Sequence, residues 1–166
     1  MIPSYLLLRQ QIENEMGNVE RAIARTERSM AGARRHLADQ DIYIESAALN
    51  LQSVYTGIER IFQLVAERIE QSVPAGEYWH TNLLTQMSLE LPDLRPAVIR
   101  TTTRDDLDDY RSFRHRIRHV YTYHIDPAKV TALVDRLPDV WAAVKQDLER
   151  FLAFLDAVAQ AEVEEE

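Results

Sequence analysis

The chain has 166 residues, no cysteine and a formal net charge of -8 at pH 7. This length fits one domain, residues 1–166, whose core needs no disulfide bonds, and the lack of thiols excludes thiolate chemistry. No apolar run approaches the roughly 18 residues of a membrane span and the N-terminus does not resemble a signal peptide, so we expect a cytoplasmic protein without membrane contact. The net negative charge argues against a protein that binds along nucleic acids nonspecifically, so any contact with a polyanion must be local.

The first part of the chain is predicted to form two long helices, in keeping with its low content of glycine (4) and proline (6). Apolar residues recur at spacings of three and four from about Ser4 to Leu37, which predicts one amphipathic helix. Asp39 or Asp41 can cap the second helix, whose apolar stripe runs to about residue 72.

A shorter helix is predicted from about Glu77 to Leu89, after a turn that contains proline and glycine. Trp79 and His80 stand near its start, and we interpret them as packing and capping residues rather than catalytic ones. In the second helix, Glu59 and Arg60 lie between the positions of the apolar stripe, so we expect their side chains to be exposed.

A fourth helix is predicted to begin near Thr103, because Asp106 follows three residues later and the two can form a cap. Four carboxylates cluster in this first turn, and they suit the positive end of a helix dipole. The same cluster could instead hold a metal ion, but compensation of the dipole is the preferred interpretation. The residues are Asp105, Asp106, Asp108 and Asp109.

The last part of the chain is predicted to be helical as well. Asp126 followed by Pro127 marks a helix start, and Pro138 is expected to interrupt that helix before a final apolar stripe. Residues from about 160 to 166 are expected to form a frayed acidic tail. These elements predict an all-α fold, an antiparallel up-and-down helical bundle of four main helices plus short extra helices.

The positive charge of this acidic chain is concentrated between Arg111 and His119, where four arginines and two histidines occur in nine residues. Such a cluster indicates a site for an anion, although a solvated helix face that neutralises carboxylates would have the same composition. On a regular helix, one arc is apolar and the adjoining arc is basic, with Arg114 and Tyr121 at the boundary. The apolar arc holds Leu107, Tyr110, Phe113, Ile117, Val120, Tyr121 and His124, and the basic arc holds Arg111, His115, Arg118, His119 and Thr122.

His115 and His119 are four residues apart, a spacing that two metal ligands on a helix can have. The charges of Arg116 and Arg118 would oppose a cation there, so acid and base roles are the better interpretation. Arginine suits a phosphate group that gains charge, since its guanidinium can donate two hydrogen bonds at once. Together these residues are compatible with metal-independent cleavage of RNA, in which the 2′-hydroxyl is a nucleophile already held beside the phosphate.

The segment Arg114-His115-Arg116-Ile117-Arg118-His119-Val120-Tyr121 fits the pattern R-polar-x3-H-x-Y. It resembles the motif of the HEPN superfamily, and in particular that of the HepT-like ribonuclease toxins. The segment at 74–84 is also similar to a GxxWHxxLL segment of the HepT-like branch. Matching residues extend from about Tyr55 to Asp126, whereas the first helix adds only a compatible pattern.

This resemblance implies an endoribonuclease toxin of a toxin–antitoxin pair, without a cofactor, which acts on RNA at a cleft between the two motif helices of a homodimer. Arg114 would stabilise the phosphate, His119 would act as general acid or base, and His115 would be the polar residue that assists the arginine. Arg111 and Arg118 are the expected RNA-binding residues, and Arg118 could instead bind acidic groups of a partner.

The resemblance also implies a partner, a minimal nucleotidyltransferase antitoxin that transfers adenylyl groups to Tyr121. A tyrosine at this boundary position could equally be a core residue whose hydroxyl reaches the rim. The alternative function is a non-catalytic HEPN partner or substrate-binding subunit of a nucleotidyltransferase.

The spacing of Arg114 and His119 creates a geometric problem for catalysis. A separation of five residues turns the two side chains roughly 140° apart around a regular helix, so they point in directions too different to bind one phosphate together. Either the helix is distorted or a second chain, related by a two-fold axis, completes the site. In both cases we expect Arg114 to be partly buried and both histidines to be reachable by solvent.

Overall fold

The computed structural model describes residues 4–165. Five α-helices account for most of this range: α1 (Ser4–Arg35), α2 (Gln40–Val65), α3 (Trp79–Met87), α4 (Thr101–Ile117) and α5 (Pro127–Glu164). Four of them are long and α3 is short, so the predicted all-α bundle of four main helices with short additions is confirmed. None of the described helices combines the length and apolarity needed to cross a membrane.

Helices α1 and α2 form an antiparallel hairpin, joined by a short 3-10 turn at Leu37–Asp39. The predicted stripe of α1 is buried along its length, from Leu8 through Ile12 to Met30. The two helices approach closely at Gly57, where a Cβ atom would lie 2.6 Å from Cγ2 of Val19. Asp39 precedes α2, but its side chain makes no capping hydrogen bond, so this predicted cap is wrong.

A buried ion pair holds α3 against the π-helical turn Ala66–Glu70, which directly follows α2. The carboxylate of Glu70 pairs with the guanidinium of Arg95, whose side chain is fully buried. Arg95 also donates to the carbonyl oxygen of Gln86 in α3 at 3.1 Å and to that of Leu89, just after α3, at 2.7 Å. Since a buried guanidinium needs all of these acceptors, the position of α3 relative to α2 is strongly specified.

Helix α4 begins at Thr101, two residues before the position predicted from its sequence. The backbone N–H of Arg100 donates to Oδ2 of Asp147, a buried residue of α5, at 3.0 Å. Thr103 lies inside the first turn, where its hydroxyl donates to the same oxygen at 2.6 Å. The predicted cap at Thr103 is therefore wrong, because a carboxylate 44 residues away along the chain caps the helix instead.

Helix α5 continues through Pro138, so the predicted interruption is wrong. Its apolar stripe is buried on both sides of the proline, from Val130 to Val144, and this burial outweighs the roughly 3 kcal/mol that an internal proline costs. The predicted start is confirmed, since Oδ1 of Asp126 accepts from the N–H of Ala128 at 3.0 Å. The helix extends to Glu164, into the segment expected to be a frayed tail, and Glu166 lies outside the described residues.

Candidate functional site

An open groove of about 580 Å³ separates the start of α3 from the second half of α4. One wall is strongly basic and comes from α4 and the turn after it. The other wall comes from the loop before α3 and from its first residues. The basic wall consists of Arg111, Arg114, His115, Arg118 and His119, and the opposite wall of Gly76, Glu77, Tyr78, Trp79, His80 and Thr81. The structure therefore brings all five catalytic and RNA-binding candidates to one surface.

The path of the chain at His119 explains how these residues can share one groove. Helix α4 ends at Ile117, and the N–H of His119 donates to the carbonyl of Arg116 at 3.1 Å in a tighter turn. The helix cannot continue, because the chain must reverse to reach the start of α5 at Pro127. Arg114 and His119 therefore both line the groove of one chain, because the regular helix ends between them.

This early end of α4 also corrects the predicted helix face. Leu107, Tyr110, Phe113 and Ile117 are buried as expected. Beyond Ile117 the regular wheel no longer applies, and the last three members of the apolar arc are exposed instead of buried. They are Val120, Tyr121 and His124.

Arg114 is half-buried, as expected, and its guanidinium is held by α2. Its Nε donates to Oγ1 of Thr56 at 2.8 Å, and the Thr56 hydroxyl donates to the carbonyl of Gln52 at 2.8 Å. This hydrogen bond occupies Nε and leaves both Nη nitrogens for an anion in the groove. Arg111, by contrast, is paired with Asp108 at 2.7 Å, which compensates part of its charge.

His115 and His119 are both exposed, as expected, and their rings lie edge to face with centroids 4.9 Å apart. Neither ring is locked by a carboxylate in the described part of the chain. Both can therefore exchange protons with solvent or with a ligand in the groove. Across residues 4–165, no set of three or more His, Asp or Glu side chains is arranged to hold a metal ion.

A pair of residues that sequence reasoning did not connect lies on the opposite wall. Nδ1 of His80 is 2.6 Å from Oε2 of Glu59, whose side chain is 5% exposed. The ring of Trp79 stacks on His80 with centroids 3.6 Å apart. The expectation that Glu59 is exposed is wrong, because the start of α3 lies over this face of α2, whereas Arg60 is exposed as expected. The spacing of Thr56 and Glu59, about one helical turn apart, was the signal that both could lie on the same face of α2.

Tyr121 lies outside the groove lining and is 70% exposed, so it is not a core residue. Its ring stacks nearly parallel on that of Tyr123, with centroids 5.4 Å apart and an interplanar angle of 7°. Tyr121 is therefore accessible to a partner that approaches the turn between α4 and α5.

Comparison with known proteins places most of these elements in one family. A family model described as "HepT-like protein" matches residues 46–155. The match includes most of α2, all of α3 and α4 and every residue of the groove, while α1 lies before it. No curated protein and no solved structure matches the chain.

Proposed function

The chain belongs to the HepT-like family of HEPN-type proteins, and from this premise we propose that it is an endoribonuclease toxin that cleaves RNA without a metal ion. One observation carries the proposal. Arg114, His115 and His119 of the R-x4-H-x-Y pattern line one wall of an open groove together with Arg111 and Arg118. The groove is accessible, basic and supplied with groups that can move protons, which is what phosphodiester cleavage requires.

In the proposed mechanism, Arg114 binds the phosphate whose bond is broken. The 2′-hydroxyl attacks this phosphorus, and negative charge grows on the non-bridging oxygens. The two Nη nitrogens of Arg114 donate to these oxygens, while Thr56 keeps the guanidinium oriented. Removal of this donor therefore raises the activation free energy of cleavage more than it weakens the binding of RNA.

The histidines of α4 transfer protons in this scheme. His119 acts as general acid or base at the reacting oxygens. His115, 4.9 Å away between ring centroids, is the polar residue that assists Arg114 and His119 at the phosphate. Arg111 and Arg118 bind the RNA backbone on either side of the cleaved bond.

The proposed partners are a second copy of this chain, an RNA substrate and a minimal nucleotidyltransferase antitoxin. The exposure of Tyr121 supports its role as the residue that receives an adenylyl group. Incubation with such a partner and ATP should raise the intact mass by adenylyl units, and Tyr121→Phe should abolish the increase. For the homodimer, sedimentation that finds only monomers at micromolar concentration would count against the assembly.

The decisive experiment is incubation of the purified chain with single-stranded RNA in EDTA. We expect cleavage that yields 2′,3′-cyclic phosphate ends, and a loss of about 10²- to 10⁴-fold in Arg114→Ala and His119→Ala. RNA with 2′-O-methyl groups throughout should stay intact because it lacks the nucleophile.

Arg116→Ala is the matched control, since Arg116 is on the same helix but does not line the groove. Cleavage that survives both groove substitutions, or that needs added metal, would refute the mechanism. Binding of RNA without any cleavage would favour the non-catalytic HEPN partner. Growth arrest on expression, relieved by the same two substitutions, tests the toxin role separately.

A further inference from the structure

We infer that His80, oriented by Glu59, is the general base of this site, and that His119 is its general acid. The inference rests on the proposed ribonuclease function and assigns a further catalytic residue, which lies outside the R-x4-H-x-Y pattern. It arises from two facts about α2 and α3: a buried carboxylate has an imidazole as its partner, and that imidazole lines the groove.

The hydrogen bond between the two residues defines which nitrogen of His80 is free. An ionised carboxylate can only accept, so Nδ1–H donates to Oε2 of Glu59 across 2.6 Å. Nε2 is then the nitrogen that carries a lone pair and is left to meet a ligand in the groove. Glu59, almost fully buried, stabilises the imidazolium that forms when Nε2 takes a proton.

The position of His80 complements that of the α4 residues. His80 belongs to the wall formed by α3, whereas Arg114 and His119 belong to the opposite wall. A phosphate bound between the walls has one imidazole on each side. Attack and departure of the two oxygens occur in line on opposite sides of phosphorus, so a base and an acid on opposite walls fit this geometry.

The proton and electron pairs balance without a co-reactant. Nε2 of His80 takes the proton of the 2′-hydroxyl, and O2′ forms a bond to phosphorus. The bond between phosphorus and O5′ breaks, and O5′ takes a proton from the imidazolium of His119. The products are a 2′,3′-cyclic phosphate, a 5′-hydroxyl, a protonated His80 and a neutral His119, and the two histidines return to their starting states by exchange with solvent.

The competing explanation is that the pair only ties α3 to α2. Two substitutions separate the roles, because each places an amide nitrogen where one of the two imidazole nitrogens lies. In His80→Asn the side-chain amide can still donate to Glu59 from the place of Nδ1, but nothing replaces Nε2. In His80→Gln the amide reaches the place of Nε2, but the donor to Glu59 is lost.

The test measures kcat and KM on single-stranded RNA, together with thermal unfolding, for the wild-type chain and both variants. If His80 is the base, His80→Asn keeps the wild-type unfolding temperature and loses about 10²- to 10⁴-fold in kcat with little change in KM. A purely structural pair predicts wild-type kcat for His80→Asn and a lower unfolding temperature for His80→Gln.

Asn82→Ala, at an exposed position of α3 that does not line the groove, is the control and should keep kcat within about threefold. If His80→Asn keeps the wild-type kcat while Arg114→Ala and His119→Ala are inactive, the role of His80 is overturned and the ribonuclease proposal still stands. A wild-type chain that cleaves no RNA would overturn the ribonuclease proposal and the role of His80 with it.

Discussion

Arg114 shows how a single side chain of the motif depends on a residue far from it in sequence. Its burial was expected from its place at the edge of the apolar arc. Its hydrogen bond to Thr56 was not, because Thr56 is 58 residues earlier on another helix. A guanidinium fixed at Nε presents its remaining donors in one direction, which lowers the entropy lost when a phosphate binds.

Substitution of Thr56 by valine should therefore weaken the proposed RNA cleavage without affecting the fold. Valine keeps the shape of threonine but cannot accept from Arg114, so we expect kcat to fall by about 10- to 100-fold. Thr56→Ser keeps the hydroxyl and should stay within about threefold of wild type. RNA cleavage assays with both variants check this, and equal activities would show that the hydrogen bond does not position Arg114.

Tyr55 is a second residue whose behaviour follows from its surroundings. It is 1% exposed, and within the described residues its hydroxyl has no hydrogen-bond partner. Burial raises the pKa of Tyr55 well above its ordinary value of 10.0, and the nearby carboxylate of Glu59 adds to the effect. The folded chain thus keeps this proton at a pH where the unfolded chain releases it, so the free energy of unfolding must fall as the pH rises above about 10.

Tyr55→Phe should reduce this loss of stability at alkaline pH. At pH 7 we expect its free energy of unfolding to equal that of wild type or exceed it by about 1 kcal/mol, since an unpaired buried hydroxyl is removed. Tyr110→Phe is the control: its pKa is also raised by burial, but its hydroxyl donates to the carbonyl of Leu133 at 2.6 Å. That variant should lose about 1 kcal/mol at pH 7. Urea unfolding at pH 7 and pH 10 would contradict the argument if both variants were equally destabilised.

Among the helices, α4 and α5 show that element boundaries are decided by packing. Residues 118–126 must reverse the chain, and this requirement ends α4 at Ile117 although the basic and apolar pattern continues. At its other end α4 is capped by Asp147 of α5. Helix α5 in turn passes through Pro138, because its buried stripe stays in register on both sides.

Pro138→Ala should stabilise the chain. Proline lacks the N–H that would donate to the carbonyl of Val134, and its ring crowds that carbonyl. Alanine restores the donor, so we expect the free energy of unfolding to rise by about 1 to 3 kcal/mol. Asp139→Ala, at the next exposed position, should change it by less than about 0.5 kcal/mol. If urea unfolding shows no increase in the free energy of unfolding for Pro138→Ala, the helix has relaxed around the proline ring.

At the scale of the whole molecule, α2 is the element that assembles the groove. Thr56 of α2 accepts a hydrogen bond from Arg114 on one wall, and Glu59 of α2 is hydrogen-bonded to His80 on the other wall. Arg114 and His119 line the groove of the same chain, so we expect one chain to supply both residues of the proposed site. A homodimer would then cover or extend the groove.

Mixing Arg114→Ala and His119→Ala chains tests this point. If each chain holds its own site, every site in a mixed dimer lacks one residue, and we expect no recovery of cleavage. A site completed across the two-fold axis would instead recover about a quarter of wild-type activity in an equal mixture, because half of the dimers would contain one intact site. The mixture must be refolded or co-expressed so that subunits exchange, and RNA cleavage per dimer is then measured.

The sequence by itself determined the helical character, the buried stripes of α1 and α2, the start of α5 after Asp126, and the resemblance to the HepT-like family. These features depend on residues a few positions apart, whose periodicity and caps act locally. Only the tertiary structure decided where α4 ends, that Asp147 caps it, and that Glu59 is buried beneath His80. Each of those depends on contacts between distant segments, whose burial and hydrogen bonding outweigh local preference.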